Sequence, residues 1–311
     1  MNLPTAILPP DAGGFAKPVD WLFWGLTGLS ALVVFGLVVV IGFFLIKYRR
    51  NSPATHTAAE TSIGLEITWT AIPLLAFTVI FALGASTYLK MASPPDDALE
   101  IYVTGRQWMW EFYRDDGPTE LAQLHVPAGT PIRLTMISED VIHSFYVPAL
   151  RMKHDLVPGR YVTAWFEAEK PGTYPIYCAE YCGDQHSQMR GKLVVMPPAD
   201  YARWLEQGNA KPTLAARGQQ LYHDHGCSGC HEAGSTVHAP SLNRLYGSVV
   251  HIQDGTSVQA DAAYIRDSIL LPQKQIVAGY DDVMPSFDGQ IGEDDLFALI
   301  AYLKSRADNP R

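Results

Sequence analysis

Two long runs without charge, Trp21 to Ile46 and Ile67 to Leu89, precede a stretch of short alternating segments and then a tract with helical periodicity. The first run holds 26 residues, or about 39 Å of helix against a hydrocarbon core of about 30 Å. It predicts a membrane span, and the second run, closed by Lys90, makes a helical hairpin whose ends face one compartment. The connecting segment carries Lys47, Arg49 and Arg50 against one acid, Glu60, which puts it in the cytoplasm and everything after residue 90 outside. A cleaved signal peptide is the alternative for the first run. Such apolar regions are about 7 to 15 residues long and follow positive charge, whereas only Lys17 precedes this one.

Residues 100 to 196 alternate with a period of two in Ile101-Tyr-Val-Thr, Ile132-Arg-Leu-Thr-Met, Tyr161-Val-Thr-Ala-Trp-Phe and Lys192-Leu-Val-Val-Met. Turn signals at Asp115-Asp-Gly-Pro, Pro127-Ala-Gly, Pro158-Gly and Pro171-Gly separate them. This spacing predicts an antiparallel β-sandwich or barrel of about a hundred residues. After Pro197-Pro come a short helix around Tyr201 to Glu206 and a linker at Gly208-Asn-Ala-Lys-Pro. A last domain then ends in a helix with Leu296, Ile300 and Leu303 on one face behind Glu293-Asp-Asp in its first turn. The expected organisation is 1–97 for an N-terminal segment and the hairpin, 98–200 for the β-domain, 201–212 for the linker and 213–311 for a helical domain.

The chain has 311 residues, 48% hydrophobic and 18% charged, with a net charge of -9. It is too apolar to be disordered, and the acidic balance argues against nucleic acid as a partner.

The chemistry concentrates in two places. Cys178-Ala-Glu-Tyr-Cys182-Gly-Asp-Gln-His186-Ser-Gln-Met189 packs two thiols, an imidazole and a thioether into twelve residues, and His143 stands 35 residues upstream in Asp140-Val-Ile-His-Ser-Phe. Soft sulfur with imidazole suits copper better than magnesium or calcium. A disulfide, a core methionine and a satisfied polar histidine are the plain alternatives. Further on, Cys227-Ser-Gly-Cys230-His231 has the spacing of covalent haem attachment, two thiols for the vinyl groups and an imidazole for the iron. A thioredoxin-like pair or half a zinc site is the alternative, without a second C-x-x-C or a βαβ pattern to support it. Met284, followed by Pro285, is the only methionine after residue 196 and a candidate sixth ligand. His223, His225, His238 and His251 are its rivals, and a core methionine is the structural alternative.

From about residue 17 to 197 the hairpin, the β-domain, Asp140-Val-Ile-His-Ser-Phe-Tyr-Val-Pro, Pro158-Gly-Arg and the Cys178 to Met189 cluster resemble subunit II of haem-copper cytochrome c oxidases. The last domain resembles a class I c-type cytochrome, so the whole is similar to the caa-type arrangement with a tethered electron carrier. The resemblance implies a multidomain membrane protein: transmembrane hairpin, cupredoxin-like antiparallel β-domain, then an all-α cytochrome c domain. It implies a binuclear CuA centre with Cys178 and Cys182 bridging two coppers, and His143, His186, Met189 and the Glu180 carbonyl as terminal ligands. Two thiolates shared between two metals spread one electron over both, which keeps reorganisation small. It also implies a magnesium ion at the Glu180 side chain on the subunit I boundary, and haem c on Cys227, Cys230, His231 and Met284. Every cysteine then has a role, and none is left for a disulfide.

The same resemblance gives Glu66 the place of a proton-pathway entrance, with a helix-capping acid as the alternative reading. Trp108, in Gly105-Arg-Gln-Trp-Met-Trp, takes the place of the electron-entry residue, with aromatic core as the alternative. Arg106 and Met109 depart from the His and Tyr common in the family. A quinol-oxidising branch lacks the copper ligands, whereas every ligand position is filled here. The implied function is transfer of electrons from haem c through CuA to a separate catalytic subunit I that reduces oxygen with proton pumping; this chain alone would reduce none. Implied partners are subunits I and III, membrane lipid, and an external cytochrome or quinol-cytochrome c reductase as donor. Residues 213–311 hold twelve acids and seven Lys or Arg, so that donor would be basic or dock by apolar contact. The implied location is a bacterial inner membrane, with both termini and both redox domains on the outer side. A membrane-anchored redox sensor or copper-handling module is the reading from another class, and a multihaem relay is disfavoured by the single C-x-x-C-H.

Overall fold

The uncharged runs form two helices in the computed structural model, which describes residues 8–50, 52–53, 62–115, 117–208 and 213–308. Helix α1 spans Ala16–Lys47 and α2 spans Ile63–Ala92. Both outrun the stretches that predicted them, because a helix continues through charges such as Lys17, Asp20, Glu66 and Lys90 once they lie at headgroup depth. Leu32, Phe35, Leu45, Leu75 and Phe81 are among the many large apolar side chains that stand exposed on the pair, as a lipid-facing surface requires. The hydroxyls of Thr27, Thr68, Thr70, Thr78 and Thr87 each donate to the carbonyl four residues earlier, which satisfies them inside the helix. Glu60 lies outside the described residues. The hairpin, Phe15–Ser93, is one compact unit; Met1–Gly14 and Pro94–Arg311 make the other.

In the second unit ten strands form two five-stranded sheets. They are β1 (Leu99–Arg106), β2 (Met109–Arg114), β3 (Glu120–Leu121), β4 (Gln123–Pro127), β5 (Pro131–Ser138), β6 (His143–Val147), β7 (Met152–Leu156), β8 (Val162–Glu167), β9 (Gly172–Cys178) and β10 (Arg190–Met196). The orders are β3-β2-β1-β5-β8 and β4-β10-β9-β6-β7. The sandwich is not wholly antiparallel: β1 with β5 and β4 with β10 run parallel. The chain leaves the first sheet at β4 and returns at β5, so β5 meets β1 through a crossover rather than a hairpin. Inward residues of both sheets, among them Val103, Trp110, Phe112, Leu134 and Phe145, are fully buried. The short segment before α1 joins this core: Ala12 is fully buried, its N–H donates to the Ala149 carbonyl at 3.0 Å, and its carbonyl accepts from Glu169 at 2.9 Å.

Of the expected linker, 209–212 lie outside the described residues. Helix α3, Pro198–Gly208, contains the short helix expected around Tyr201 to Glu206. It is held to the sandwich by aromatic residues, Tyr201 and Trp204, over the Arg114 guanidinium. Beyond it come α4 (Leu214–Asp224), α5 (Ser228–His231), β11 (Val249–His251), β12 (Ser257–Gln259), α6 (Ala262–Leu270) and α7 (Glu293–Asp308). The last domain is therefore not purely helical: β11 and β12 pair antiparallel around Asp254-Gly255, a turn signal between two β-prone triplets.

Helices α4 and α7 cross at Gly218, where an added Cβ would lie 1.9 Å from the Ala298 carbonyl oxygen. Glycine at this point lets the two backbones touch. Gly218→Ala should cost about 1–3 kcal/mol by forcing them apart, seen as a lower thermal midpoint of the C-terminal domain; an unchanged midpoint would refute the contact.

Helix α7 is buried on two sides, since Leu296, Phe297, Ala298, Leu299, Ile300 and Ala301 are all nearly inaccessible. One apolar cluster runs from Tyr102, Tyr113 and Ile137 of the first sheet into Phe297, Ile300 and Ile265 of the last domain. Phe297 stacks on Tyr102 at 4.8 Å and on Tyr161 at 5.4 Å between ring centres. Lys304 pairs with Glu100. Arg266 pairs with Glu293 at 2.6 Å and donates to the Gly159 carbonyl at 3.0 Å.

Candidate metal and haem sites

Strand ends and one loop bring the soft donors together. His143 opens β6, Cys178 closes β9, and the loop between β9 and β10 holds Cys182, His186 and Met189. The Cys178 and Cys182 Sγ atoms are 3.8 Å apart. His143 Nδ1 is 3.9 Å from Cys178 Sγ, while His186 Nδ1 is 3.5 Å and Met189 Sδ 3.8 Å from Cys182 Sγ. The Glu180 carbonyl oxygen is 3.2 Å from Cys178 Sγ. Donors about 2.0–2.3 Å from a shared metal lie at separations of this order from one another. His143, Cys178, Cys182 and Met189 are all buried, so a charged ion held there would be shielded from water. The donor set fits soft transition-metal binding, copper foremost.

The electrostatics are those of a pair that must lose protons to take a metal. Burial pushes the Cys178 thiol up, but hydrogen bonds with His143, the Ser144 and Glu180 backbone and Cys182 outweigh it and bring its pKa down to about 6. Burial and the negative charge of Cys178 push Cys182 up to about 12. The two thiols hold each other's protons apart in this way, and a metal bound by both as thiolates would displace what proton the pair retains.

Two residues without a role in the sequence reading stand beside this cluster. Asp140 Oδ1 lies 2.7 Å from His143 Nε2, and its Oδ2 accepts the Gln107 backbone N–H at 2.8 Å. Burial would raise the Asp140 carboxyl, yet these bonds and one from the Val141 N–H hold it below the usual carboxylate range. Gln107 Nε2 and Trp108 Nε1 both donate to the Cys182 carbonyl, at 2.7 and 3.1 Å. The hint in the sequence was an acid three residues before the candidate ligand His143, since such an acid commonly partners the ring nitrogen a metal would not take. Trp108 is half-buried against the core. Arg106 pairs with Glu111 and approaches Glu139 at 3.9 Å. The Glu180 side chain is exposed. Glu66 lies in the first turn of α2, exposed, in the hairpin unit.

In the last domain a cavity of about 610 Å³ is lined by Cys227, Cys230, His231 and Met284 with apolar walls that include Leu242, Ile265 and Leu299. His231 Nδ1 lies 2.9 Å from the Pro240 carbonyl. A carbonyl only accepts, so Nδ1 carries the proton and Nε2 is left as a free lone pair. An apolar cavity of this size, with two thiols and an oriented imidazole, fits a covalently held haem. The rivals to Met284 divide: His225, His238 and His251 line the cavity and His223 does not. His238 is stacked on Tyr280 at 4.6 Å, and His251 Nδ1 pairs with Ser257 Oγ at 2.9 Å.

Comparison with known proteins gives two family matches: cytochrome c oxidase subunit II, periplasmic domain, over residues 119–196, and cytochrome c over residues 215–307. A cytochrome c oxidase subunit 2 of Alkalihalophilus pseudofirmus is 33% identical over 294 residues, covering 89% of this chain and 83% of that one. A cytochrome c oxidase subunit 2 of Thermostichus vulcanus is 28% identical over 302 residues, covering 77% and 91%. Among solved structures, the periplasmic domain of subunit II of cytochrome oxidase from Bradyrhizobium japonicum is 31% identical with a TM-score of 0.36, covering 37% of this chain and 96% of that one.

Proposed function

The chain belongs to the cytochrome c oxidase subunit II family, and from that premise we propose that it is the electron-entry subunit of a haem-copper oxidase, with a binuclear CuA centre and its own haem c. It carries a cupredoxin-like domain and a fused cytochrome c domain and is anchored by two apolar helices. Haem and copper, when bound, would supply one-electron couples, and the chain's part would be to pass electrons from an outside donor toward the subunit I that reduces oxygen to water with proton pumping.

The observation that carries this reading is the convergence of two thiols, two imidazole nitrogens, a thioether and a carbonyl in one cluster, with His143, Cys178, Cys182 and Met189 buried. Each donor hangs from a strand end or a short loop fixed by backbone hydrogen bonds, such as Cys178 N–H to the Met189 carbonyl at 3.2 Å. A cage held this way changes little when its charge changes, which favours fast transfer. Cys227, Cys230, His231 and Met284 would hold the haem. Trp108, bonded to the Cys182 carbonyl, would receive electrons next to the copper ligands. The exposed Glu180 carboxylate would meet magnesium at the subunit I boundary, and Glu66 would collect protons at the start of α2. Subunit III, and a cytochrome or quinol-cytochrome c reductase as donor, complete the assembly.

For topology, the support is Ala12. It precedes α1 yet pairs with Ala149 and Glu169 of the domain that follows α2, so both ends of the hairpin emerge on one side. With basic residues in the connecting segment, that side is the outer one.

The test is a visible to near-infrared spectrum of the purified chain, oxidised and reduced. We expect c-haem bands together with the absorption of a mixed-valence copper pair, and Cys182→Ser should abolish the copper signal while leaving the haem bands. Haem bands with no copper signal in the unaltered chain would overturn the CuA assignment.

A further inference from the structure

The turn between β1 and β2, the residues just before β6 and the loop after β9 lie far apart in the chain, yet Gln107 touches both of the others. Its backbone N–H donates to Asp140 Oδ2 at 2.8 Å, and its side-chain Nε2 donates to the Cys182 carbonyl at 2.7 Å. We propose that Gln107 and Asp140 form a polar brace that sets the Trp108 indole and the His143 ring against the thiol cluster, making both of them positioning residues for electron entry. The proposal rests on the CuA reading above.

At one end of the brace, Asp140 Oδ1 faces His143 Nε2 at 2.7 Å and also accepts the Val141 N–H at 2.6 Å. The carboxylate oxygen accepts from His143 Nε2 and so fixes the plane of a ring whose Nδ1 is turned toward Cys178 Sγ at 3.9 Å. At the other end, the Cys182 carbonyl accepts from both Gln107 Nε2 and Trp108 Nε1, which uses both of its lone pairs. The next residue is independent support. Gly183 has φ +114°, and a Cβ there would come within 2.8 Å of Gln107 Nε2 and 3.3 Å of Trp108 Cζ2. The ligand loop is bare of side chain at the point where the brace presses on it. The path from the indole nitrogen to Cys182 Sγ then runs through one hydrogen bond and the covalent bonds of Cys182 itself. Without the Gln107 amide, Trp108 would hold that carbonyl alone, and Asp140 would lose its anchor to the copper loop.

The experiment compares full-length chain with Gln107→Leu and Gln107→Glu. The first removes the donor at similar size, and the second turns an acceptor toward the Cys182 carbonyl. In copper-free protein, nitrogen-15 spectra read exchange of the Trp108 indole N–H. Loss of one hydrogen bond at the shared carbonyl should speed that exchange about fivefold. In copper-loaded protein, electron uptake by the copper pair from a photoexcited ruthenium complex should slow severalfold at unchanged copper content. A residue of purely structural importance would shift the thermal midpoint and leave exchange and uptake rate in step with the parent. Unchanged exchange in both variants would overturn the brace. The copper-free measurements judge it even if the unaltered chain takes up no copper pair, so its failure is distinct from failure of the CuA assignment. If Gln107→Leu does not fold, Gln107→Glu gives the same readouts.

Discussion

Phe297→Ala should separate the cytochrome domain from the cupredoxin sheet. Phe297 is fully buried and sits among three tyrosines of the neighbouring domain, stacked on Tyr102 and Tyr161 and tilted to Tyr113 at 5.7 Å. Truncating a buried phenylalanine costs about 3–5 kcal/mol. Part of that is lost inside the cytochrome domain, which Gly218→Ala reports separately. The rest is interdomain: a double-mutant cycle with Tyr102→Ala should give a coupling of about 0.5–1.5 kcal/mol. In calorimetry the unaltered chain should melt its two redox domains together, and Phe297→Ala should split them into two transitions. The ion pair that crosses the interface, Lys304 with Glu100, leaves Lys304 36% exposed, so salt should weaken the interface far less than the substitution does. A single unsplit transition in Phe297→Ala would mean that the apolar plug does not hold the domains. A domain held by such a contact presents its redox centre to its neighbour at higher effective concentration than the mM range of a free short tether.

The sequence disclosed most of what lies within short chain distances. The Cys178 to Met189 donors sit within twelve residues, so their convergence needed only a loop. His143 was found because a histidine at a strand start is a familiar counterpart to such a loop. The brace escaped because its bonds join Gln107 to residues 33 and 75 positions away, and no period in the chain reports a side-chain amide meeting a distant carbonyl.

The last helix is the packed terminal helix expected, buried over more of its circumference than one face. Leu296, Ile300 and Leu303 do share a face, but Phe297, Ala298 and Ala301 are buried as well, because α7 is covered on one side by its own domain and on the other by the cupredoxin sheet. A helix covered twice loses the polar stripe by which one buried face is normally recognised. The short helix expected around Tyr201 to Glu206 is present within α3, but what docks it was not legible. Composition marks Gly208 to Pro212 as a breaker, but it does not show that Tyr201 and Trp204 clamp the preceding turns to a buried arginine.

That arginine carries the other large expected effect. The Arg114 side chain is fully buried and pairs with Glu120. It also donates to the Tyr201 hydroxyl at 2.6 Å and the His125 carbonyl at 3.0 Å, with its guanidinium 4.9 Å from the centre of the Trp204 ring. Glu120 also holds His125, which stacks on Trp204 at 4.7 Å. One carboxylate therefore balances the charge that ties β2, β4 and α3 together. Glu120→Ala should cost about 3–5 kcal/mol, because a buried cation is left without its partner. The double change Arg114→Met with Glu120→Leu should recover much of that, since removing both charges also removes the desolvation cost of each. Urea unfolding followed by circular dichroism on the three chains decides it. If the double variant were as weak as Glu120→Ala, the loss would lie in packing against Trp204 rather than in charge.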